Sequence, residues 1–187
     1  GDSQQLFMLN GVAKLKDSGR MAIIQNGSPL FTGDADSGPS MIRGYLIEND
    51  YLDAIVQMPN DLFYNTGIST YIWIISKNKT EKRIGKIQLI DASKCFEKRR
   101  KSLGKKRNEL TDESIDLIQR AYLEFDNKEY KQDTKIVESK IFDRFFFKYS
   151  KVVVQRPLKD EKGNLVLKKG KKQPDPKLKD TEIIPWG

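Results

Sequence analysis

The stretch 53–75 reads D-A-I-V-Q-M-P-N-D-L-F-Y-N-T-G-I-S-T-Y-I-W-I-I, with an apolar run on either side of a polar loop. The runs, 54–56 and 71–75, consist mostly of β-branched and aromatic residues, which favour β-strands. Neither run alternates cleanly with polar residues, which predicts strands covered on both faces, as in an α/β domain. The loop is short for a parallel crossover. We therefore expect an antiparallel hairpin at one edge of the sheet.

The loop between the two strands combines flat rings, amide groups and a glycine. Phe63, Tyr64, Asn65, Thr66 and Gly67 follow one another in it. Rings stack on planar heteroaromatic groups and amides hydrogen-bond to their edges, so this composition suits the binding of a nucleobase. The alternative is structural, with Phe63 filling the core at a strand–loop–strand corner.

Before this stretch, helices and strands are expected to alternate. A helix is expected to begin at Asp2 or Ser3, a short buried strand to follow at 21–24, and a second helix to begin at Ser37 or Gly38. The apolar face of the first helix is expected to be Leu6, Leu9, Val12 and Ala13. This alternation indicates an open α/β sheet whose strands are mainly parallel.

After the hairpin, a strand is expected at 86–90, a helix at 110–125 and a closing strand at 151–155. Residues 159–179 are rich in Lys, Asp, Gly and Pro, which predicts a hairpin or a mobile loop. The expected regions are the α/β sheet at 1–92, a basic helical extension with a closing strand at 93–158, and a hairpin or flexible segment at 159–187.

Charge and composition narrow the classes of function. Lys and Arg number 34 against 26 Asp and Glu, and the net charge of +8 fits a polyanionic partner or a merely soluble basic surface. The chain has no histidine and one cysteine, which excludes histidine-dependent metal sites, histidine-based triads and an intramolecular disulfide. No apolar run approaches the roughly 20 residues of a membrane span. We expect a cytoplasmic protein without a metal site.

Residues 94–107 are the strongest electrostatic feature, because eight of these fourteen residues are Lys or Arg. Such a density supplies several contacts to nucleic-acid phosphates. The alternatives are a solvated helix face and a flexible connector. The candidate phosphate-binding residues are Lys98, Arg99, Arg100, Lys101, Lys105, Lys106 and Arg107. Cys95 lies beside these cations, but it has no partner base and we interpret it as incidental.

Segments in order along the whole chain resemble the modification subunit of type I restriction-modification systems. Three of them are G-R-M-A-I-I-Q-N-G-S-P-L-F-T-G (19–33), S-x-I-R-x-Y-L-I-E-N-D (40–50) and I-V-Q-M-P-N-D-L-F-Y-N-T-G-I-S-T-Y-I-W-I-I (55–75). The others are K-I-Q-L-I-D-A-S (86–93), R-K-S-L-G-K-K-R (100–107), V-V-V-Q-R-P-L (152–158), D-E-K-G-N-L-V-L-K-K-G-K (160–171) and P-D-P-K-L-K-D-T-E (174–182).

The resemblance implies an N6-adenine DNA methyltransferase that uses S-adenosylmethionine and acts on double-stranded DNA. It implies the C-terminal half of a Rossmann-like methyltransferase sheet with helices on both faces, followed by a basic helical region and a hairpin-like or mobile tail. The family's partners are a specificity subunit, a second modification subunit and, in the nuclease form, a restriction subunit. The family's glycine-bearing cofactor motif and its Asn-Pro-Pro-aromatic motif are absent from this sequence. We therefore expect a piece of a longer protein that alone has no catalytic residue, binds no cofactor and is inactive.

The same resemblance gives the aromatic loop a role. Related adenine methyltransferases place a ring against the flipped base just after a strand, where Phe63 stands here with Tyr64 as the alternate. Asn65 and Thr66 are expected to line this target-base pocket or to touch the adjacent backbone. Asn26 is expected at its rim, because ligands bind at the carboxyl ends of strands. The alternative function is a non-enzymatic nucleic-acid-binding or complex-assembly module.

Overall fold

The computed structural model describes residues 3–64 and 66–186. The chain forms two compact units, Gly1–Phe145 and Phe146–Gly187. The domain boundaries expected after residues 92 and 158 stay predictions. Among the described residues, no helix is long and apolar enough to cross a membrane.

The first half of the first unit alternates helices and strands, as predicted. The helices are α1 (Ser3–Lys14), α2 (Ser28–Phe31), α3 (Gly38–Glu48) and α4 (Asp112–Glu124), with a 3-10 turn at Glu81–Arg83. The strands are β1 (Arg20–Asn26), β2 (Leu52–Gln57), β3 (Thr70–Ser76), β4 (Lys86–Lys94), β5 (Glu97–Leu103), β6 (Lys106–Glu109), β7 (Lys128–Gln132) and β8 (Lys135–Asp143). The side chains of Ser37 and Thr111 cap α3 and α4 by accepting first-turn N–H groups, which accounts for where these helices begin.

Within the described residues, six strands form one sheet in the order β1-β3-β2-β4-β8-β7. The predicted hairpin of β2 and β3 is confirmed, with Ile55 opposite Trp73. It does not lie at the sheet edge, because β1 pairs with the other side of β3. The expectation of mainly parallel strands is also wrong, since among these six only β2 and β4 are parallel neighbours. Short connections join β2 to β3 and β7 to β8, and such connections return the chain antiparallel.

Helices cover both faces of this sheet, as expected. Side chains alternate across a strand, so successive residues of β3 enter different cores. Trp73 and Ile75 pack with α1 and α3, whereas Ile72 and Ile74 pack on the core that contains Leu117 of α4. The sheet is therefore the middle of three layers in the first unit.

The buried face of α1 differs from the predicted one. Its buried residues are Gln5, Met8 and Val12. Leu6 is 60% exposed and Ala13 is exposed as well. Burial of the polar Gln5 side chain is partly compensated, because its Nε2 donates a hydrogen bond to the carbonyl oxygen of Pro29 at 2.9 Å. The strand expected to be buried, β1, alternates instead. Its Ile24 is 56% exposed because it lies on the face opposite to Met21 and Ile23, which pack with α1 and α3.

A buried ionic cluster joins α4 to the amino end of β2. The carboxylate of Asp53, 2% exposed, accepts from Nε of Arg83 at 2.8 Å and from the hydroxyl of Tyr122 on α4. The Arg83 guanidinium also donates to Oε1 of Gln88 at 2.8 Å and lies 4.1 Å from the ring centroid of Phe125. Burial, together with the Asp53 carboxylate, raises the pKa of the Tyr122 hydroxyl.

The basic stretch after β4 forms a hairpin and not the solvated helix face that was one of its alternatives. Strands β5 and β6 pair antiparallel, with Gly104 between them in the left-handed region (φ 62°). A residue with positive φ cannot continue a helix but suits a hairpin turn, which explains the difference. The predicted helix does follow the basic residues, as α4.

In the second unit, β9 (Tyr149–Pro157) pairs antiparallel with β12 (Pro174–Pro185). Between them, β10 (Leu167–Lys168) pairs with β11 (Lys171–Lys172). The strand expected at 151–155 is confirmed as β9, although among the residues described it pairs with β12 and not with the six-stranded sheet. Of the two structures expected for 159–179, the hairpin is the one observed.

Candidate nucleic-acid interface

Strands β1, β2 and β4 run in the same direction, so their last residues lie together at one end of the sheet. This end, where the strands finish, is called the carboxyl edge below and is distinct from the edge strand β1. The pairing places Asn26 opposite Thr70, and Gln57 opposite both Tyr71 and Asp91. The turn after β1, the loop 58–69 and the hairpin β5–β6 therefore leave the sheet at the same edge. The carboxyl ends of strands are where open α/β sheets bind ligands.

The loop 58–69 presents two rings at its surface. Leu62 packs against the core that contains α4, while Phe63 is 39% and Tyr64 is 56% exposed. In the described part of the chain, neither ring belongs to a buried core cluster. Leu62, and not Phe63, therefore fills the core at this strand–loop–strand corner. The rings of Phe63 and Tyr64 both remain accessible.

Two backbone contacts lie beside these rings. Phe63 and Thr66 form an antiparallel bridge, and Oγ1 of Thr66 accepts the N–H two residues further on at 3.2 Å. A Cβ at Gly67 would lie 2.7 Å from Oδ1 of Asp61, so a larger residue there would displace the Asp61 carboxylate. Asn65 lies outside the described residues, so its place in the pocket stays a prediction.

The hairpin β5–β6 docks on this loop mainly through its backbone. The carbonyl of Asp61, a residue in the left-handed region (φ 57°), accepts two successive N–H groups of β6. The bonds run from Lys105 N to Tyr64 O (3.2 Å), from Arg107 N to Asp61 O (3.0 Å), from Asn108 N to Asp61 O (3.2 Å) and from Asn108 Nδ2 to Asn60 O (2.9 Å). The basic hairpin and the aromatic loop therefore form one continuous surface.

A buried lysine holds the hairpin from its other side. Nζ of Lys135 on β8 donates to Glu97 of β5 at 2.7 Å and to Glu113 of α4 at 2.9 Å. Hydrogen bonds to the two carboxylates raise the pKa of Lys135 above its usual range, so the ammonium stays charged at neutral pH. The hairpin, α4 and the sheet are tied together at this point.

An open cleft of about 330 Å³ lies where the loop meets the hairpin. Its lining residues are Asp61, Thr66, Gly67, Ile68, Lys105 and Arg107. Lys105 and Arg107 supply positive charge and Thr66 a hydroxyl, which are the side chains that bind phosphate oxygens. One predicted pocket residue and two predicted phosphate-binding residues thus meet in a single cleft.

The cations of the hairpin are not equally available. Arg99 is paired with Glu109 across the hairpin, with 2.6 Å between Nη1 and Oε2. Lys106 is half-buried. The exposed members of the predicted set are Lys98, Arg100, Lys101, Lys105 and Arg107. Within residues 3–64 and 66–186, these five form no ion pair, so their charges face solvent.

Asn26 ends β1 at this edge, but its side chain is used locally. Its Oδ1 accepts the N–H of Ser28 at 2.9 Å, and its own N–H donates to Oε1 of Gln4 at 3.3 Å. These bonds shape the turn into α2. The role of Asn26 at the rim of the pocket stays a prediction.

Cys95 is fully buried beneath this region. Burial raises the pKa of its thiol, although cations are close in sequence, and Sγ donates to the carbonyl of Ser114 at 3.6 Å. A protonated buried thiol is a poor nucleophile. This environment agrees with the interpretation of Cys95 as incidental to the chemistry.

Two structural residues of the interface were not predicted from the sequence. Asn108 is buried and joins the hairpin to the loop, but in sequence it is a single amide beside a basic run. Asp61 follows Asn60, and an Asn-Asp pair is typical of a turn that tolerates the left-handed region. That pair was the available signal for a tight corner here.

This α/β sheet, with an aromatic loop and a basic hairpin at its carboxyl edge, matches a known protein family. The chain belongs to the N-6 DNA methylase family, whose model matches residues 1–174. The resemblance to type I modification subunits noted from the sequence is confirmed by individual relatives.

The chain is 38% identical over 106 residues to the type I restriction enzyme MjaVIII methylase subunit of Methanocaldococcus jannaschii, covering 57% of this chain and 18% of that protein. The type I restriction-modification methyltransferase subunit from Streptococcus thermophilus superposes with a TM-score of 0.61 and 31% identity, over 76% of this chain and 26% of that chain. The M protein of the type I restriction enzyme EcoKI shares the fold, with a TM-score of 0.53 and 18% identity over 76% of this chain and 34% of that chain. This chain spans about a fifth of the length of the curated relatives it matches.

Proposed function

We propose that this chain is the distal part of the catalytic domain of an N6-adenine DNA methyltransferase, the modification subunit of a type I restriction-modification system. It supplies one wall of the pocket for the extruded adenine and a basic contact to the DNA backbone. The observation that carries the proposal is the docking of β5–β6 on the aromatic loop, which brings exposed rings and exposed cations onto one surface.

A base inside a duplex must leave the stack before an enzyme can modify it, and an aromatic ring compensates part of the lost stacking. Phe63 is the proposed stacking residue and Tyr64 the alternate. Thr66, Lys105 and Arg107 are proposed to hold the phosphate beside the extruded nucleotide, because they share the cleft next to the rings. The remaining proposed residues are Asn26 and Asn65 at the pocket and Lys98, Arg99, Arg100, Lys101 and Lys106 along the flanking backbone.

The family implies S-adenosylmethionine as the cofactor of the parent enzyme. The residues of the cleft fit it poorly, because the two cations Lys105 and Arg107 outnumber the single carboxylate of Asp61 and the net positive charge disfavours a sulfonium. The sequence also has no closely spaced glycines of a nucleotide-binding turn. We therefore place the cofactor site in the remaining length of the parent protein and assign this chain no step of methyl transfer.

The exposed edge strand β1 supports the proposal that the rest of the catalytic domain belongs to the remaining length of the parent protein. Ile24 on the edge strand β1 is 56% exposed, and Phe7 on the adjacent α1 is 68% exposed. Exposed apolar residues at an unpaired sheet edge favour cover by further structure. The rest of the parent protein is the proposed cover. Double-stranded DNA, the specificity subunit, a second modification subunit and the restriction subunit are the proposed partners of the whole.

The test is methyl transfer to adenine N6 by the full-length protein assembled with its specificity subunit. Phe63→Ala is expected to lower kcat/KM by about 5–150-fold, from the roughly 1–3 kcal/mol of a base–aromatic stack. Leu123→Ala is the matched control, since Leu123 is 75% exposed and lies next to Tyr122, at the opposite end of the sheet. An assembled wild-type protein that methylates no adenine would refute the proposal. If Phe63→Ala leaves kcat/KM unchanged, Phe63 is not part of the pocket.

A further inference from the structure

The second unit carries a further cluster of cations, K-K-G-K-K at 168–172. Strands β10 and β11 pair on either side of its centre. Lys169 and Gly170 both have positive φ, 52° and 76°, as in a type I′ turn. The four lysines therefore occupy the end of a two-stranded ribbon, and the segment 168–172 is called the lysine tip below.

Neighbouring backbone braces the ribbon. Leu158 N–H donates to the carbonyl of Gln173 at 2.8 Å, Val166 N–H to that of Leu158 at 2.9 Å, and Gln173 N–H to that of Val166 at 3.0 Å. These bonds join the base of the ribbon to the segment that follows β9. The lysine tip is thus presented by a supported hairpin.

The charges of the lysine tip are not neutralised by the described part of the chain. All four lysines are exposed, and within residues 3–64 and 66–186 they form no ion pair. Two carboxylates of this unit form turn hydrogen bonds and, among the described residues, no ion pair with the tip. Asp160 accepts N–H groups of Lys162 and Asn164, which lower its pKa, and Asp175 accepts the N–H of Lys177. The tip is a concentrated positive charge with no ion-pair partner among the described residues.

The turn carries a lysine at a position where its geometry favours other residues. Lys169 stands in the left-handed region, where Asn and Gly are the favoured residues of a type I′ turn. A lysine there adds a fourth ammonium group against the local backbone preference.

We propose that the lysine tip binds the phosphate backbone of duplex DNA without reading its sequence, an inference that rests on the proposed function. Phosphates line both strands of a duplex at short and regular intervals, so four ammonium groups at one turn can contact several of them. Ammonium groups bind phosphates as point charges on flexible stems, which suits contact with the DNA backbone at any sequence. The contribution of the tip is therefore affinity and salt dependence, not recognition of a sequence.

The test measures the affinity of the full-length protein for a random-sequence duplex by fluorescence anisotropy over a salt series. The tip variant combines Lys168→Gln, Lys169→Asn, Lys171→Gln and Lys172→Gln. Asparagine at 169 keeps the turn, because Asn-Gly favours the type I′ geometry. Each lost phosphate contact lowers the slope of log affinity against log salt by about 0.9, so a slope smaller by roughly 2–4 units is expected.

The matched control removes the same charge from four other exposed lysines of this unit, Lys159, Lys162, Lys177 and Lys179, each to Gln. Its slope is expected to change by less than about one unit.

A second variant, Lys168→Arg with Lys171→Arg and Lys172→Arg, keeps the charge and should keep the slope, whether or not the neutral tip variant folds. Equal losses in tip and control variants, or an unchanged slope in the tip variant, overturn the inference. The inference is also overturned if the tip variant keeps its DNA affinity and salt slope but no longer binds a partner subunit, because the tip would then contact protein. A wild-type protein that binds no duplex refutes the proposed function instead.

Discussion

Replacing Arg83 by methionine is expected to destabilise the first unit strongly, because it leaves Asp53 buried without its main counter-ion. The change removes the bond to Asp53 (2.8 Å), the bond to Gln88 (2.8 Å) and the bond to the carbonyl of Tyr122 (3.0 Å). Breaking a buried pair by removing one partner costs about 3–5 kcal/mol. The Tyr122 hydroxyl and Arg20 remain near the carboxylate, which places the expected loss at about 3 kcal/mol.

For a chain of this size, such a loss lowers Tm by about 6–12 °C. Thermal and urea unfolding followed by circular dichroism measure it, with Lys140→Met as the control. Lys140 pairs with Glu138 at the surface, where both side chains are about half exposed, so the control should lose less than about 1 kcal/mol. Asp53→Leu combined with Arg83→Met should recover part of the stability, because no unpaired charge remains. If Arg83→Met unfolds no earlier than the control, the ionic cluster does not hold α4 on the sheet.

Three further outcomes are expected. Arg100→Glu with Lys101→Glu in the full-length protein should reduce the salt slope of DNA affinity by about two units or more, and an unchanged slope would assign these side chains to solvent or to a protein contact. The raised pKa of Tyr122 means that the unfolded chain loses this proton first, so stability is complete below about pH 10 and falls as the pH rises through the folded pKa. Tyr122→Phe should flatten that part of the unfolding profile, and a profile as steep as that of the wild type would contradict the assignment. Cys95 should react with a thiol reagent only as fast as the protein opens, because the thiol is buried and protonated; rapid labelling of the native chain would show that it is accessible.

The hairpin of β2 and β3 was predictable because its signals are local. Two apolar runs and the connection between them lie within 53–75, and neighbouring strands joined by a short loop pair antiparallel. The loop composition also located the exposed rings of Phe63 and Tyr64. The sequence did not show which of two adjacent apolar residues, Leu62 or Phe63, would enter the core, because burial depends on contacts with α4.

The docked hairpin was not predictable, because its cause lies in distant residues. Its strands are mostly charged, and the bonds that fix it go to carbonyls of the loop 58–69 and to Lys135. The buried face of α1 differs from the expected one for a similar reason, since the partner of the buried Gln5 is a carbonyl of α2. Neither partner can be recognised from hydrophobic periodicity, which reports only how residues of one element share a face.

The most direct test of the central claim, that Phe63 receives the extruded adenine, places 2-aminopurine at the target position of a duplex. Its fluorescence is recorded on binding to the full-length protein with its specificity subunit, alongside thermal unfolding of each variant. Wild-type protein and Phe63→Trp should raise the fluorescence, because any flat ring can stack on the flipped base. Phe63→Ala should lose the rise while unfolding at nearly the wild-type temperature, since the ring is 39% exposed and outside both cores. A Phe63→Ala protein that still produces the full rise, or that unfolds early while flipping the base normally, would contradict the account.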